Sequence, residues 1–257
     1  MHKIFPPITL AGYLLTLLLS AAAALAQEPD WQAYAQVLQR HVRPVVLDGI
    51  ALNGVDYAAL RKDPLYAKVR AGLAHFDPAH LAGHEERLAF YINAYNILAI
   101  KVVTDNWPLD SIKDVGGLFT PVWKQTAGVI GGRRFTLDEI EHEVLRPMGD
   151  PRIHMAIVCA SVSCPDLRTE PYRGARLQQQ LDQQAADFLT NPGKGLRITE
   201  SGIRVSKIFD WFKEDFAKAY GGVRPFLNRY RAGLPAKLAL AADLPYNWSL
   251  NDSGRAP

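Results

Sequence analysis

The sequence predicts an α+β fold, helix-rich, built as a single globular domain with a small mixed β-sheet. Three observations carry this. Segments of helical periodicity recur along the chain, the clearest being "HEERLAFYINAYNILAIKVVTDN" at 84–106. Short strand-like runs bounded by Gly, Pro, Asn and Asp lie between them. The two kinds of segment do not alternate as regular βαβ units. At 257 residues and 48% apolar composition the chain can bury a sizeable core and is not disordered. Its net charge of +3 comes without a Lys/Arg block, which gives no electrostatic argument for nucleic acid.

The elements follow in order. Residues 1–26 read as a signal peptide: His2 and Lys3, an apolar run from Ile8 to Leu19, then Ala24-Leu25-Ala26 before Gln27. An uncleaved anchor is the alternative. Cleavage predicts a periplasmic or secreted domain over 27–257 with no membrane contact, in an oxidising compartment. "DWQAYAQVLQRHV" has helical spacing with Asp30 as N-cap. A hairpin or loop around Asn53-Gly54 runs into a helix at Asp56, and "PLYAKVRAGLAHF" continues as helix. The segment 84–106 is apolar on nearly every side and should be the central buried helix, ended at Trp107-Pro108.

Two strands meet at Gly131-Gly132, and Thr136 with Glu139 forms a capping box before a helix. "RIHMAIVCA" reads as a short buried strand. "GARLQQQLDQQAADFLTN" is an amphipathic helix, and "GLRITESGIRVS" a hairpin turning at Ser201-Gly202. "DWFKEDFAKAY" and "VRPFLNRYR" are helices separated by Gly221-Gly222, and "DLPYNWSLND" is a final strand. Phe209, Phe212 and Phe216 share a helix face, which reads as core. Asp210, Lys213, Glu214 and Asp215 then form the solvated side, and Trp211 is a weak candidate for carbohydrate stacking.

Candidate chemistry gathers around "RIHMAIVCASVSCPDLR", which holds the chain's two cysteines. Strand parity would put His154 and Cys159 on opposite faces, roughly 16 Å apart at about 3.3 Å per residue. Cys164, beyond the strand and fixed in an extended backbone by Pro165, is then the better nucleophile, with His154 or His142 as base. Asn93 or Glu141 would orient the imidazole. The bland readings stay open. Cys159 and Cys164 can close a disulfide or be inert thiols, and Asn93 and Asn96 can tie their helix to nearby backbone. His142 can be an ordinary half-buried side chain. Cys159, Cys164, His154 and His142 lack the paired spacings of a zinc site, and no phosphate-loop, dinucleotide or G-x-S-x-G motif occurs. No metal or cofactor is expected; the partner would be an unknown substrate or protein.

"ERLAFYINAYNILAI", "LDEIEHEVLR", "RIHMAIVCASVSCPDLR", "VSKIFDWFKEDF" and "YNWSLN" occur in this order. Together they resemble the domain-of-unknown-function family 547 over about residues 45 to 251. Members are exported bacterial proteins or, in plants, follow a leucine-zipper segment. The resemblance implies that Glu86, Asn93, Asn96, Glu141, His142, His154, Cys159, Cys164 and Pro165 are the family's characteristic polar set. The closing motif usually reads Tyr-Asp-Trp; here Asn247 holds the Asp place. The leading expectation is a thiol-dependent hydrolase or acyl transferase acting on an amide or ester, with a papain-like or transglutaminase-like arrangement. The alternative is a non-enzymatic binding or scaffold domain with a Cys159–Cys164 disulfide, which the plant context favours.

Overall fold

The computed structural model describes residues 29–117 and 120–256; the expected signal peptide lies outside them. Helix α1 (Trp31–His41) starts where the Asp30 side chain accepts from the Ala33 amide at 2.9 Å, as the cap signal predicts. Strands β1 (Val42–Leu47) and β2 (Ile50–Val55) form an antiparallel hairpin. It turns at Asp48-Gly49, both at positive φ, and not at Asn53-Gly54, which pair inside β2. Asp-Gly is as good a type I′ signal as Asn-Gly, so the sequence offered two turns and pairing across the sheet chose one. Asp56 caps α2 (Tyr57–Leu60), and α3 (Pro64–His75) follows.

Helix α4 (His84–Asp105) is the central buried helix, with apolar residues from Leu88 to Val103 closed off from solvent. Strands β3 (Thr126–Ile130) and β4 (Arg133–Thr136) join at Gly131 and Gly132, both at positive φ. The capping box then forms: the Glu139 amide donates to Thr136 Oγ1 at 3.0 Å and the Thr136 amide to Glu139 Oε2 at 2.7 Å. The helix it starts, Glu139–Leu145, is π-wound.

The expected strand after Arg152 is instead one helical turn, α5 (Ile153–Ala156), followed by extended backbone. An apolar run this short fits either state, and here tertiary contacts decide. Ile153 and Ala156 pack into the larger core around α4, and Met155 into a second, smaller core. That second core is built by α6 (Leu177–Thr190), β5 (Leu196–Thr199), β6 (Gly202–Val205), α7 (Ile208–Trp211), α8 (Lys213–Tyr220) and α9 (Val223–Tyr230).

The β5–β6 hairpin turns one residue early, so Gly202 already pairs with Thr199. The expected final strand does not form. The two-residue β7 (Leu240–Ala241) lies parallel to β6, and beyond it the tail makes single bridges, Ser161 with Leu250 and Val55 with Asp252. The fold class is therefore α+β and helix-rich, with three small sheets, one of them mixed. Among the described residues no helix is long and apolar enough to cross a membrane.

Candidate functional site

The buried amides of α4 come first, because they fix what surrounds them. Asn93 donates to the Tyr172 carbonyl at 2.8 Å and accepts from the Tyr172 amide at 2.9 Å. Asn96 donates to the Ala156 carbonyl at 3.0 Å and accepts from the Val158 amide at 2.8 Å. Each side chain stands in for a neighbouring strand and satisfies both backbone groups of a passing segment. Asn93 therefore orients no imidazole; its amide is spent on Tyr172. Asn96 holds the segment that leads from α5 to Cys159. Glu86 lies in the first turn of α4, exposed, and accepts from the Gly83 amide at 3.4 Å. It does not line the site.

His154 is carried by α5, and its side chain is only 1% exposed. Nε2 lies 2.8 Å from Asp215 Oδ2 on α8. Nδ1 has no hydrogen-bond partner and sits 3.7 Å from Glu141 Oε1, too far for one. The ring stacks on Phe212 at 3.8 Å between centroids. Asp215 also receives two bonds from Arg146, Nε at 2.7 Å and Nη2 at 2.9 Å. The His154 bond and the Arg146 fork hold the Asp215 carboxyl well below the usual carboxylate range, against the opposing effect of partial burial. An ionised Asp215 accepts, so Nε2 carries a proton, and in the neutral form of the ring Nδ1 is the acceptor.

Cys159 and Cys164 form a disulfide. Cys164 is 3% exposed and Cys159 is half-buried. The Cys159 amide donates to Cys164 Sγ at 2.9 Å, and the Tyr246 hydroxyl lies 3.4 Å from each sulfur. Burial pushes the Tyr246 phenol up, so it stays a donor. Ala160, between the cysteines, has φ +57°, a left-handed conformation that a non-glycine residue adopts at a cost of about 1 kcal/mol or more. The C-terminal tail straps this loop: the Val162 and Ser163 amides donate to the carbonyls of Ser249 and Asn247. That strap places Tyr246 and Trp248. Asn247 itself donates to Asp48 at 2.7 Å, outside the cleft. An Asp there would face a like charge.

These groups line one open cleft of about 200 Å³. Glu141, His142, Asp138 and His154 form its polar end, the disulfide lies in its wall, and Trp123, Trp211, Phe212, Tyr246 and Trp248 form its aromatic side. Trp211 is 45% exposed and stacks on Trp248 at 5.9 Å. His142, at the rim, accepts from Arg146 Nη1 at 3.0 Å. Among the described residues no group of three or more His, Cys, Asp or Glu is placed to hold a metal ion.

Two sequence expectations fail here, each for its own local reason. His154 and Cys159 line the same cleft, not opposite faces, because a helical turn does not alternate its side chains as a strand does, and it rises only about 1.5 Å per residue where a strand rises about 3.3 Å. Asp215 belongs to the site and not to a solvated face. A break at Phe212 between α7 and α8 turns Phe212 onto His154 and brings Asp215 with it, while Phe209 and Phe216 remain core as expected. Arg146, Asp215 and Tyr246 were not among the candidates. Only the position of Asp215, three residues from Phe212 and next to Phe216, hinted at a buried-side carboxylate.

The fold and site define a helix-rich α+β domain whose cleft sets a carboxylate-held, buried imidazole beside a disulfide. Residues 78–189 match the model of the family described as "Protein of unknown function, DUF547", which supports assigning this segment to that family. The matched segment contains Glu86, Asn93, Asn96, Glu141, His142, His154 and both cysteines, and ends before Asp215 and Tyr246. No curated protein and no solved structure matches the chain.

Proposed function

We propose that the cleft carries out hydrolysis or acyl transfer at an amide or ester, with Cys164 as nucleophile once its disulfide is opened and His154 as base. One observation carries this reading: a buried imidazole with one nitrogen held by Asp215 and the other unpaired, in the wall it shares with the cysteines. Leaving a buried ring nitrogen without a partner costs about 1–3 kcal/mol, a cost that calls for an explanation in use. Asp215 takes the orienting role expected of Asn93, and Glu141 is the carboxylate facing the free nitrogen. The chain order is then His154, Cys164, Asp215, a permutation of the papain-like order. As a thiolate, Cys164 would be favoured by the Cys159 amide and the Tyr246 hydroxyl. The reading includes export directed by residues 1–26, which an N-terminus at Gln27 in the exported protein would support.

The closed disulfide favours a second reading, a binding domain whose stacked Trp211 and Trp248 receive a ring-bearing ligand. A single set of assays separates the two. Hydrolysis of p-nitrophenyl acetate and iodoacetamide labelling are followed against pH, with and without reductant. Wild type is compared with His154→Gln and Cys164→Ser. The enzyme reading expects reductant-dependent turnover, abolished in Cys164→Ser, and fast Cys164 labelling near neutral pH that His154→Gln loses. Labelling that follows an ordinary free thiol, with no turnover above Cys164→Ser, would overturn it and leave the binding reading.

A further inference from the structure

We infer that the disulfide is itself an exchange site for small thiols, with a fixed polarity: the incoming thiol attacks Cys159 and Cys164 leaves. The two sulfurs are not equivalent. Both sulfurs border the cleft, but Cys159 is the more exposed, half-buried one, whereas Cys164 is only 3% exposed. Cys164 Sγ already accepts from the Cys159 amide at 2.9 Å, whereas the matching contact of Cys159 Sγ, from the Ser161 hydroxyl, is longer at 3.4 Å. The Tyr246 hydroxyl is within 3.4 Å of both and can turn to whichever sulfur becomes charged. Exchange goes faster when the departing sulfur is the better-stabilised anion, so this asymmetry selects Cys164 as leaving group.

The step balances with the groups present. A thiol in the cleft gives its proton to the bare Nδ1 of His154. Its sulfur forms a bond to Cys159 Sγ as the Cys159–Cys164 bond breaks. The electron pair goes to Cys164, now a thiolate under the Cys159 amide and Tyr246. The products are a mixed disulfide on Cys159 and a free Cys164. A cleft of about 200 Å³, below the size usual for drug-sized ligands, suits a compact thiol. The exchange needs no acyl substrate and stands apart from the activity proposed above.

The test incubates the intact protein with free cysteine or, in a second arm, glutathione, without denaturant. Samples are quenched with acid, alkylated and mapped by peptide mass. The expected product carries the cysteinyl adduct on Cys159 and the alkyl group on Cys164, forming faster with cysteine than with glutathione. Tyr246→Phe should slow adduct formation about tenfold, the worth of one hydrogen bond to a charged group, and keep the same polarity. His154→Gln should make the rate follow the free thiol's own ionisation. Adducts on Cys164, an even split, or exchange seen only in denaturant would overturn the proposal. Absence of ester hydrolysis would leave it intact.

Discussion

Asn93 and Asn96 on α4 and His154 on α5 are all polar and almost equally buried, at 1%, 3% and 2% exposure. The two amides have donor and acceptor engaged, each with both backbone groups of a crossing segment. The imidazole is engaged on one side only. Burial and polarity are shared; satisfaction is not. A fully satisfied buried polar group fixes the fold, and a half-satisfied one keeps bonding capacity for something else. The contrast sorts the polar set into clamps and a working group.

The largest expected effect breaks the contrast from the His154 side. His154→Gln should lower any acid–base turnover in the cleft by about 10²–10⁴-fold, while stability changes by no more than about 1 kcal/mol. Turnover assays beside urea unfolding check both halves. From the other side, Asn96→Ala strands the Ala156 carbonyl and the Val158 amide. It should cost about 3 kcal/mol, read as a lower urea midpoint. Equal stability losses in the two variants would erase the distinction.

Replacing both cysteines by serine removes a short covalent loop and should cost about 2 kcal/mol by the chain-entropy estimate, again read in urea. The smallest effect sharpens the role of Asp215. Its carboxyl is held below the unfolded value, so it stabilises the fold above the unfolded carboxylate pKa, about 3.9. That stability is lost as the pH falls through the lower folded value. Asp215→Asn should flatten the acid limb of a melting-temperature profile below about pH 4 and leave the relative shape near neutrality unchanged. An unaltered acid limb would show that the His154–Asp215–Arg146 cluster carries no linkage.

Much of this was legible along the chain. Asp30, Asp56, Thr136 with Glu139, and Gly131-Gly132 mark caps and turns through interactions only a few residues long, and all of them form. The central helix is legible because a 22-residue helix with a long apolar pattern leaves no alternative. Asn96 was legible as a buried amide that had to bond something. What it bonds was not, since Ala156 and Val158 lie some sixty residues away. His154, Glu141 and the cysteines were legible as a polar set, but their grouping through a helical turn was hidden by a run of apolar residues that suits strand and helix equally. Asp215 and Tyr246 come from the second core and the tail, and no local pattern ties them to His154 or to the disulfide.

The sequence by itself determined the α+β class, the central helix, most caps and the residue types able to do chemistry, because these depend on periodicity and on contacts within a few residues. Tertiary structure alone decided that His154 faces the same cleft as Cys159 and Cys164, that Asp215 rather than Asn93 holds it, and that the sulfurs are joined with one half-open and one closed. The reason is physical. The disulfide spans only five residues, but the hold of Asp215 on His154 crosses sixty-one, and the faces of the elements concerned are assigned only when two cores close around α5.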